Sequence, residues 1–348
     1  MDDEKIRVLL VDDSPVAIRI LRKIIGQTSD IEVVGTANDG NQALQMISSL
    51  DPAVVCTDFH MPGMDGLELV KNIMADHPRP VLVVSISAQS GSGNVFKLIE
   101  AGALDVLTKP GLEDAGLYNG IAAELLDKIR ILSGVHVFRR HTPVVRLPPM
   151  IGYGEVKSRN EYRMLVIGAS TGGPQALLSI LSELPADFPL PIVCVQHISD
   201  GFLDNFISWL GSLCKLSCRV AQAGEFPVPG NIYFPHEKAH LEFDSHGRFV
   251  ISKDMLHRGH CPSVSMTMIS AATHFGKQMI SVLLTGMGND GADGMLAVSN
   301  AGGMTIAQNA ESCVVFGMPK QAIELGSVRH VLALDDIAPF LEQLVKPG

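Results

Sequence analysis

Three carboxylates, a hydroxyl and a lysine close separate apolar runs in the first third of the chain. Asp12 and Asp13 follow Ile6 to Val11, and Asp58 follows Ala53-Val54-Val55-Cys56-Thr57. Ser85 follows Val81 to Val84, and Lys109 follows Leu104 to Thr108, with Pro110 fixing the turn behind it. An unpaired charge at the end of a buried strand costs several kcal/mol, roughly, unless a cation is brought in, so the acids imply a divalent metal. All five groups sit at strand C-terminal ends, the edge at which open α/β sheets bind ligands.

A second set occupies the later part of the chain. The run ending at Ile167 leads into Gly168-Ala169-Ser170-Thr171-Gly172-Gly173-Pro174, after which a helix is predicted with Pro174 in its first turn. Ser170 thus falls at a helix N-terminus, where free N–H groups can stabilise an oxyanion. His197 ends the strand Ile192 to Gln196, and Asp290 lies in Thr285-Gly286-Met287-Gly288-Asn289-Asp290-Gly291, just after the apolar run Ile280 to Leu284. A serine, a histidine and an aspartate at one sheet edge are what an activated hydroxyl needs: the imidazole takes the proton and the carboxylate orients the imidazole. Backbone N–H groups near Thr171 and Met287 are the candidate oxyanion donors. Asp293 competes with Asp290 for the acid's place, but reads as the N-cap of a following helix. Gly-rich turns also cradle dinucleotides, yet that function calls for an acid ending the second strand, where this chain has Gln196-His197. The order Ser, His, Asp also differs from that of α/β-hydrolases, so the Gly-x-Ser-x-Gly match does not recruit that fold.

The elements that carry these residues follow from hydrophobic periodicity. Five strands, Ile6–Val11, Ile31–Ala37, Ala53–Thr57, Val81–Ser85 and Asp105–Thr108, alternate with helical patterns and close with a helix over Ile121–Leu132. This rhythm predicts a doubly wound parallel sheet. The segment 133–160 carries Pro143, Pro148, Pro149, several glycines and five basic residues, the composition of a semi-rigid linker. A second α/β rhythm begins near Tyr162, with later strands at Pro191–Gln196, Asn231–Phe234 and Met279–Thr285. Helices are predicted at Pro174–Leu184, Phe202–Leu210 and Pro262–His274, and a β-hairpin insertion between Leu241 and Lys253. The expected organisation is therefore 1–132, a linker over 133–160, and a catalytic domain of mostly parallel sheet over 161–348.

Composition bounds the function. The 348 residues carry a formal net charge of −10, with 11 basic and 19 acidic side chains over 1–133 and 11 and 17 over 161–348. Two acidic lobes argue against a nucleic-acid partner and against a DNA-binding output. No apolar run approaches the ~20 residues of a membrane span, and Met1-Asp2-Asp3-Glu4 has the wrong charge for a signal peptide, so no membrane insertion and a cytoplasmic location are expected. The six cysteines lack the spacing of a zinc site or a secreted framework; Cys214 and Cys218, four apart, could share a helix face, but a reduced, partly buried pair is the favoured reading. His236 with His240 and His257 with His260 have helical spacing but no helix or third ligand to make a metal site.

The first set resembles the receiver domain of response regulators over about residues 5–132. That resemblance implies that Asp58 accepts a phosphoryl group, that Asp12 and Asp13 hold Mg2+ with it, and that Ser85 and Lys109 contact the phosphoryl oxygens. Ile86 and Val106 depart from the usual small and aromatic residues there, in positions that relay phosphorylation. Joined to the second set, the chain is similar to the chemotaxis response regulator protein-glutamate methylesterases. The motifs are Gly168 to Gly173, Gln196-His197, Thr285 to Gly291, Thr305 to Asn309 and Ser312 to Pro319. The resemblance implies hydrolysis of glutamate methyl esters on chemoreceptors, deamidation of receptor glutamines, a histidine kinase as phosphodonor, and a receiver that restrains the hydrolase until phosphorylated. Cys261 and Ser265 replace charged residues of the family and Ser199-Asp200 replaces a common proline, changes that bear on the substrate groove or the receiver contact. The competing class is a non-catalytic, phosphorylation-dependent adaptor, which a broken triad would have favoured.

Overall fold

The computed structural model describes residues 5–86, 95–110, 115–135, 137, 162–253, 256–257 and 259–346. They form two compact units. In the first, strands β1 (Ile6–Val11), β2 (Ile31–Ala37), β3 (Val54–Thr57), β4 (Val81–Ser85) and β5 (Asp105–Thr108) make a parallel sheet of order β2-β1-β3-β4-β5. Helices α1 (Pro15–Ile25), α2 (Gly40–Leu50), α3 (Gly66–Asp76), α4 (Phe96–Ala101) and α5 (Ala115–Ser133) alternate with them. Near-continuous apolar strands such as Val8 to Val11 and Val81 to Val84 are buried, as expected for a sheet covered on both faces. Side-chain caps start three helices: Ser14 accepts from Ala17 N, Asp39 from Gln42 N and Asp65 from Glu68 N. The closing helix is longer than predicted by periodicity, and most of the expected linker over 133–160 lies outside the described residues.

The second unit holds β6 (Met164–Ala169), β7 (Ile192–Gln196), β8 (Ser217–Val220), β9 (Asn231–Phe234), β10 (His240–Phe243), β11 (Phe249–Ser252), β12 (Met279–Leu283), β13 (Met304–Gln308) and β14 (His330–Leu332). Its helices are α6 (Gly173–Leu181), α7 (Leu203–Leu213), α8 (Val264–Phe275), α9 (Ala292–Asn300), α10 (Met318–Glu324) and α11 (Leu334–Val345), with a short 3-10 turn at Gly276–Gln278. The sheet runs β14-β13-β12-β6-β7-β9-β8, every pair parallel. β6 has β12 on one side and β7 on the other, so the strand order reverses at β6. That reversal opens the crevice in which α/β sheets place their ligands. The hairpin β10–β11 pairs His240 with Ser252 and Phe243 with Phe249 and packs on α8, where the Thr267 hydroxyl donates to Leu241 O at 2.7 Å. Phe243 and Phe249 join Val264, Met268 and Phe275 in the core on that face of the sheet.

Two expectations need correction. Cys214 lies one residue past α7 and Cys218 in β8, so they share no helix face, although the favoured reading of a reduced, partly buried pair agrees with the structure: both are free and partly buried. Asp293 is not an N-cap: α9 is capped by Gly291 at φ 88°, and Asp293 sits inside the first turn, where its charge complements the helix dipole. β8, β13 and β14 escaped periodicity. β8 is a half-exposed edge strand, and the residues of β13 read first as a motif.

Candidate active site

Register brings the serine and the histidine together. Ala169 pairs with Gln196 across β6 and β7, so Ser170 and His197 occupy the next level, and the His197 N–H donates to Ala169 O at 3.0 Å. The Gln196 side-chain amide ties the two: its Nε2 donates to Ser170 O at 2.8 Å and to His197 O at 2.7 Å. On the other flank, Ser170 N donates to Thr285 O at 3.0 Å, just past β12. A Cβ on Gly286 would stand 2.7 Å from Ser170 Cβ and 2.4 Å from Met318 Sδ, so only glycine lets this backbone pass so close to the serine. Gly172, at φ 77°, turns the chain into α6 in the left-handed region that favours glycine.

Asp290 is fully buried and saturated with donors. Its Oδ2 lies 2.9 Å from His197 Nε2 and accepts from Val264 N at 2.7 Å. Oδ1 accepts from Ser263 Oγ at 2.9 Å, Ser265 N at 3.0 Å and Gly291 N at 2.9 Å. Burial alone would raise its pKa, but the bond and charge of His197, together with the amides of Ser265 and Val264, hold the carboxyl well below the usual carboxylate range. An ionised Asp290 makes Nε2 the protonated nitrogen of a neutral His197. Nδ1 is then the basic nitrogen, and it is buried without a hydrogen-bond partner. Such an arrangement can take a proton from a hydroxyl and hold the resulting imidazolium.

Neither Thr171 N nor Met287 N donates to another group among the described residues, and Thr171 O is fixed by the Thr285 hydroxyl at 3.0 Å. Thr285 N in turn donates to Gln308 Oε1 at 2.8 Å, which explains a role for the Thr305 to Asn309 motif in holding the turn. Residues 263–265 and His260 were missed as site groups. Ser265 bears on the aspartate itself: beyond its N–H, its Oγ accepts from Gly291 N at 2.7 Å. The proline-serine start of α8, Pro262-Ser263, was the available signal, because an N-cap leaves amides free to grip a carboxylate. His260 stacks on His197 with ring centroids 4.2 Å apart and planes 3° apart.

The first unit gathers its own set. Val11 pairs with Thr57 and Ser85 with Thr108, so Asp12, Asp58, Ser85 and Lys109 meet at one edge. Ligand oxygens of Asp12, Asp13 and Asp58 lie within 4.8 Å of one another. Lys109 Nζ lies 2.6 Å from Asp58 Oδ2 and 2.7 Å from Asp12 Oδ2, and the Ser85 hydroxyl donates to Asp58 Oδ1 at 2.9 Å. Burial pushes the Asp12 carboxyl up despite this ion pair. For Lys109, burial opposes the charge, but the hydrogen bonds it donates to Asp12 and Asp58 win and raise its pKa. Ile86, next to Ser85, is 72% exposed, whereas Val106 is buried. Gly66 packs so tightly beneath that a Cβ would stand 2.3 Å from Asp58 O.

Comparison with known proteins assigns both units to known families. The CheB methylesterase family model matches residues 165–341, and the response regulator receiver domain model matches 8–118. A protein-glutamate methylesterase/protein-glutamine glutaminase of Nitrosospira multiformis is 38% identical over 98% of this chain and 97% of its own length. One from Salmonella typhi is 39% identical over 99% and 98%. The crystal structure of the Thermotoga maritima CheB methylesterase catalytic domain aligns with a TM-score of 0.52 at 40% identity, covering 53% of this chain and 99% of that one. With a family model spanning the hydrolase fold and relatives matched from end to end, the chain belongs to the CheB methylesterase family and carries a response regulator receiver domain ahead of its hydrolase.

Proposed function

We propose that this protein removes methyl esters from glutamate side chains of chemoreceptors, and deamidates receptor glutamines, under control of phosphorylation at Asp58. The observation that carries the hydrolytic reading is the His197–Asp290 pair at 2.9 Å, which leaves a buried, unpartnered Nδ1 one strand away from Ser170. Ser170 Oγ attacks the ester carbonyl while His197 Nδ1 takes its proton, and Asp290 stabilises the imidazolium. The tetrahedral oxyanion is received by the N–H groups of Thr171 and Met287, each worth ~10²-fold in rate when well aimed. Collapse expels the methoxy group, which leaves as methanol with the proton from His197; a water, deprotonated by His197, then releases Ser170 and the free glutamate. A glutamine follows the same path with ammonia as the leaving group.

At the receiver, the three clustered carboxylates are hard oxygen donors with one exposed member, Asp13, a set that fits Mg2+. When bound by Asp12, Asp13 and Asp58, the ion supplies charge neutralisation for phosphoryl transfer. Lys109 and Ser85, already on the two oxygens of Asp58, are placed to follow the phosphoryl group once it is attached. A histidine kinase is the donor and chemoreceptors are the substrate partners in this reading, which puts the protein in the cytoplasm, where receptor methylation sites lie. No helix among the described residues is long and apolar enough to cross a membrane.

The test is methanol release from methyl-labelled receptor membranes by the purified full chain. Wild type is expected to release methanol faster after treatment with acetyl phosphate and Mg2+, and Asp58→Ala to lose only that stimulation. A protein that binds the receptors yet releases no methanol under any condition would be the adaptor instead.

A further inference from the structure

The His197 imidazole is held by one hydrogen bond, from Nε2 to Asp290, and its Nδ1 has no partner among the described residues. One in-plane bond at a ring edge leaves the imidazole free to rock about that bond. A base must keep its lone pair aimed to a fraction of an ångström, because a small misplacement of reacting groups lowers rates steeply. Something normal to the ring has to stop the rocking. His260 lies there, its ring parallel to that of His197 within 3° at 4.2 Å.

We infer that His260 is a positioning residue for hydrolysis: its imidazole, stacked face to face on His197, holds that ring in the plane of its bond to Asp290 so that Nδ1 keeps one direction. The inference deepens the hydrolytic reading above and rests on it. His260 is itself firmly mounted. His257 and His260 exchange backbone hydrogen bonds at 3.0 and 2.9 Å around a turn in which Gly259 adopts φ 88°. Three residues on, Ser263 caps α8 and, with Val264 and Ser265, grips the Asp290 carboxylate. Residues 260–265 therefore set both the acid that bonds the base at its edge and the ring that covers its face. Burial, then the neighbouring His197, push the His260 imidazole below its usual pKa, with Asp290 pulling the other way and His257 adding to the depression. A neutral ring can lie against the transient imidazolium without repelling it.

The discriminating feature is a flat face rather than volume or a titratable nitrogen. The experiment compares His260→Ala, His260→Leu and His260→Phe in the full chain, with kcat and KM for methanol release from labelled receptor membranes and thermal melts as a folding control. Ala and Leu are expected to lower kcat by about 10- to 100-fold with KM nearly unchanged, while Phe restores most of it. Leu restoring as well as Phe would reduce His260 to packing, Phe failing as badly as Ala would assign the role to its nitrogens, and Ala matching wild type would remove the role altogether; each overturns the inference. The long-range nitrogen–proton spectrum of His197 gives a second reading even where a variant melts early. One sharp Nε2-protonated tautomer in wild type and His260→Phe, blurred in His260→Leu, supports the inference, and identical spectra in all three oppose it. Absence of methanol release by wild type itself would instead remove the hydrolytic reading, so the two failures are distinct.

Discussion

Asp290 accepts hydrogen bonds from five directions, four of them from residues 263–265 and 291 and one from His197. A buried carboxylate so bound is a stability element as well as an orienting one, because each charge-assisted bond contributes ~1.5–3 kcal/mol and some of them must break if the acid becomes an amide. Asp290→Asn is therefore expected to destabilise the hydrolase unit by roughly 2–4 kcal/mol near pH 7 in urea titrations. The sign of the pH dependence follows from the depressed pKa of Asp290. A carboxyl whose pKa falls on folding contributes fully above its unfolded value, about 4, and loses that contribution as pH drops toward the folded value. The gap between wild type and variant should thus be constant from neutral pH down to about 4 and narrow below it; a gap that widens on acidification would contradict the assignment. Ser170 and His197 stood out in the sequence because each follows an apolar strand, and Asp290 because it lies in the Gly-rich turn after β12. His260, Ser263 and Ser265 were harder to read: Pro262-Ser263 marks the start of α8, but nothing local shows that this start lies beside a distant strand end.

Glycines decide how closely the strands' ends can meet. Gly286 passes so near Ser170 and Met318 that an added methyl has no space, and the neighbours displaced would be Met318 Sδ and the Cβ of Ser170, the proposed nucleophile. Gly286→Ala is expected to cost about 1–3 kcal/mol from overpacking and at least ~10²-fold in methanol release from a misaimed hydroxyl. Normal stability with normal turnover would show that the turn yields. At this scale the periodicity served well for β1 to β7, where apolar runs are buried on both faces, and for the hairpin, where Ser245-His246-Gly247 marks the turn. It failed for β8, whose Ser217-Cys218-Arg219-Val220 is half-exposed and mixed in polarity, and it could not order the strands. Sheet order is set by long-range pairing, and only that order puts β7 and β12 on opposite sides of β6.

Each unit repeats one device at larger scale: a parallel sheet whose strand order reverses beside the reactive group, at β1 and β3 for Asp58 and at β6 for Ser170. Phosphorylation of Asp58 adds roughly 1.5 to 2 negative charges to a receiver that is already acidic, a change large enough to carry a signal along the chain to a hydrolase with its own complete site. In the proposed mechanism that signal acts on one hydroxyl, that of Ser170. The deciding measurement is methanol release from the same labelled receptor membranes by Ser170→Ala beside wild type, at equal concentration of folded protein. Loss by at least ~10³-fold, with Asp58 still phosphorylated by acetyl phosphate, is the expected result. Turnover near the wild-type rate would place the nucleophile elsewhere and contradict the assignment of Ser170.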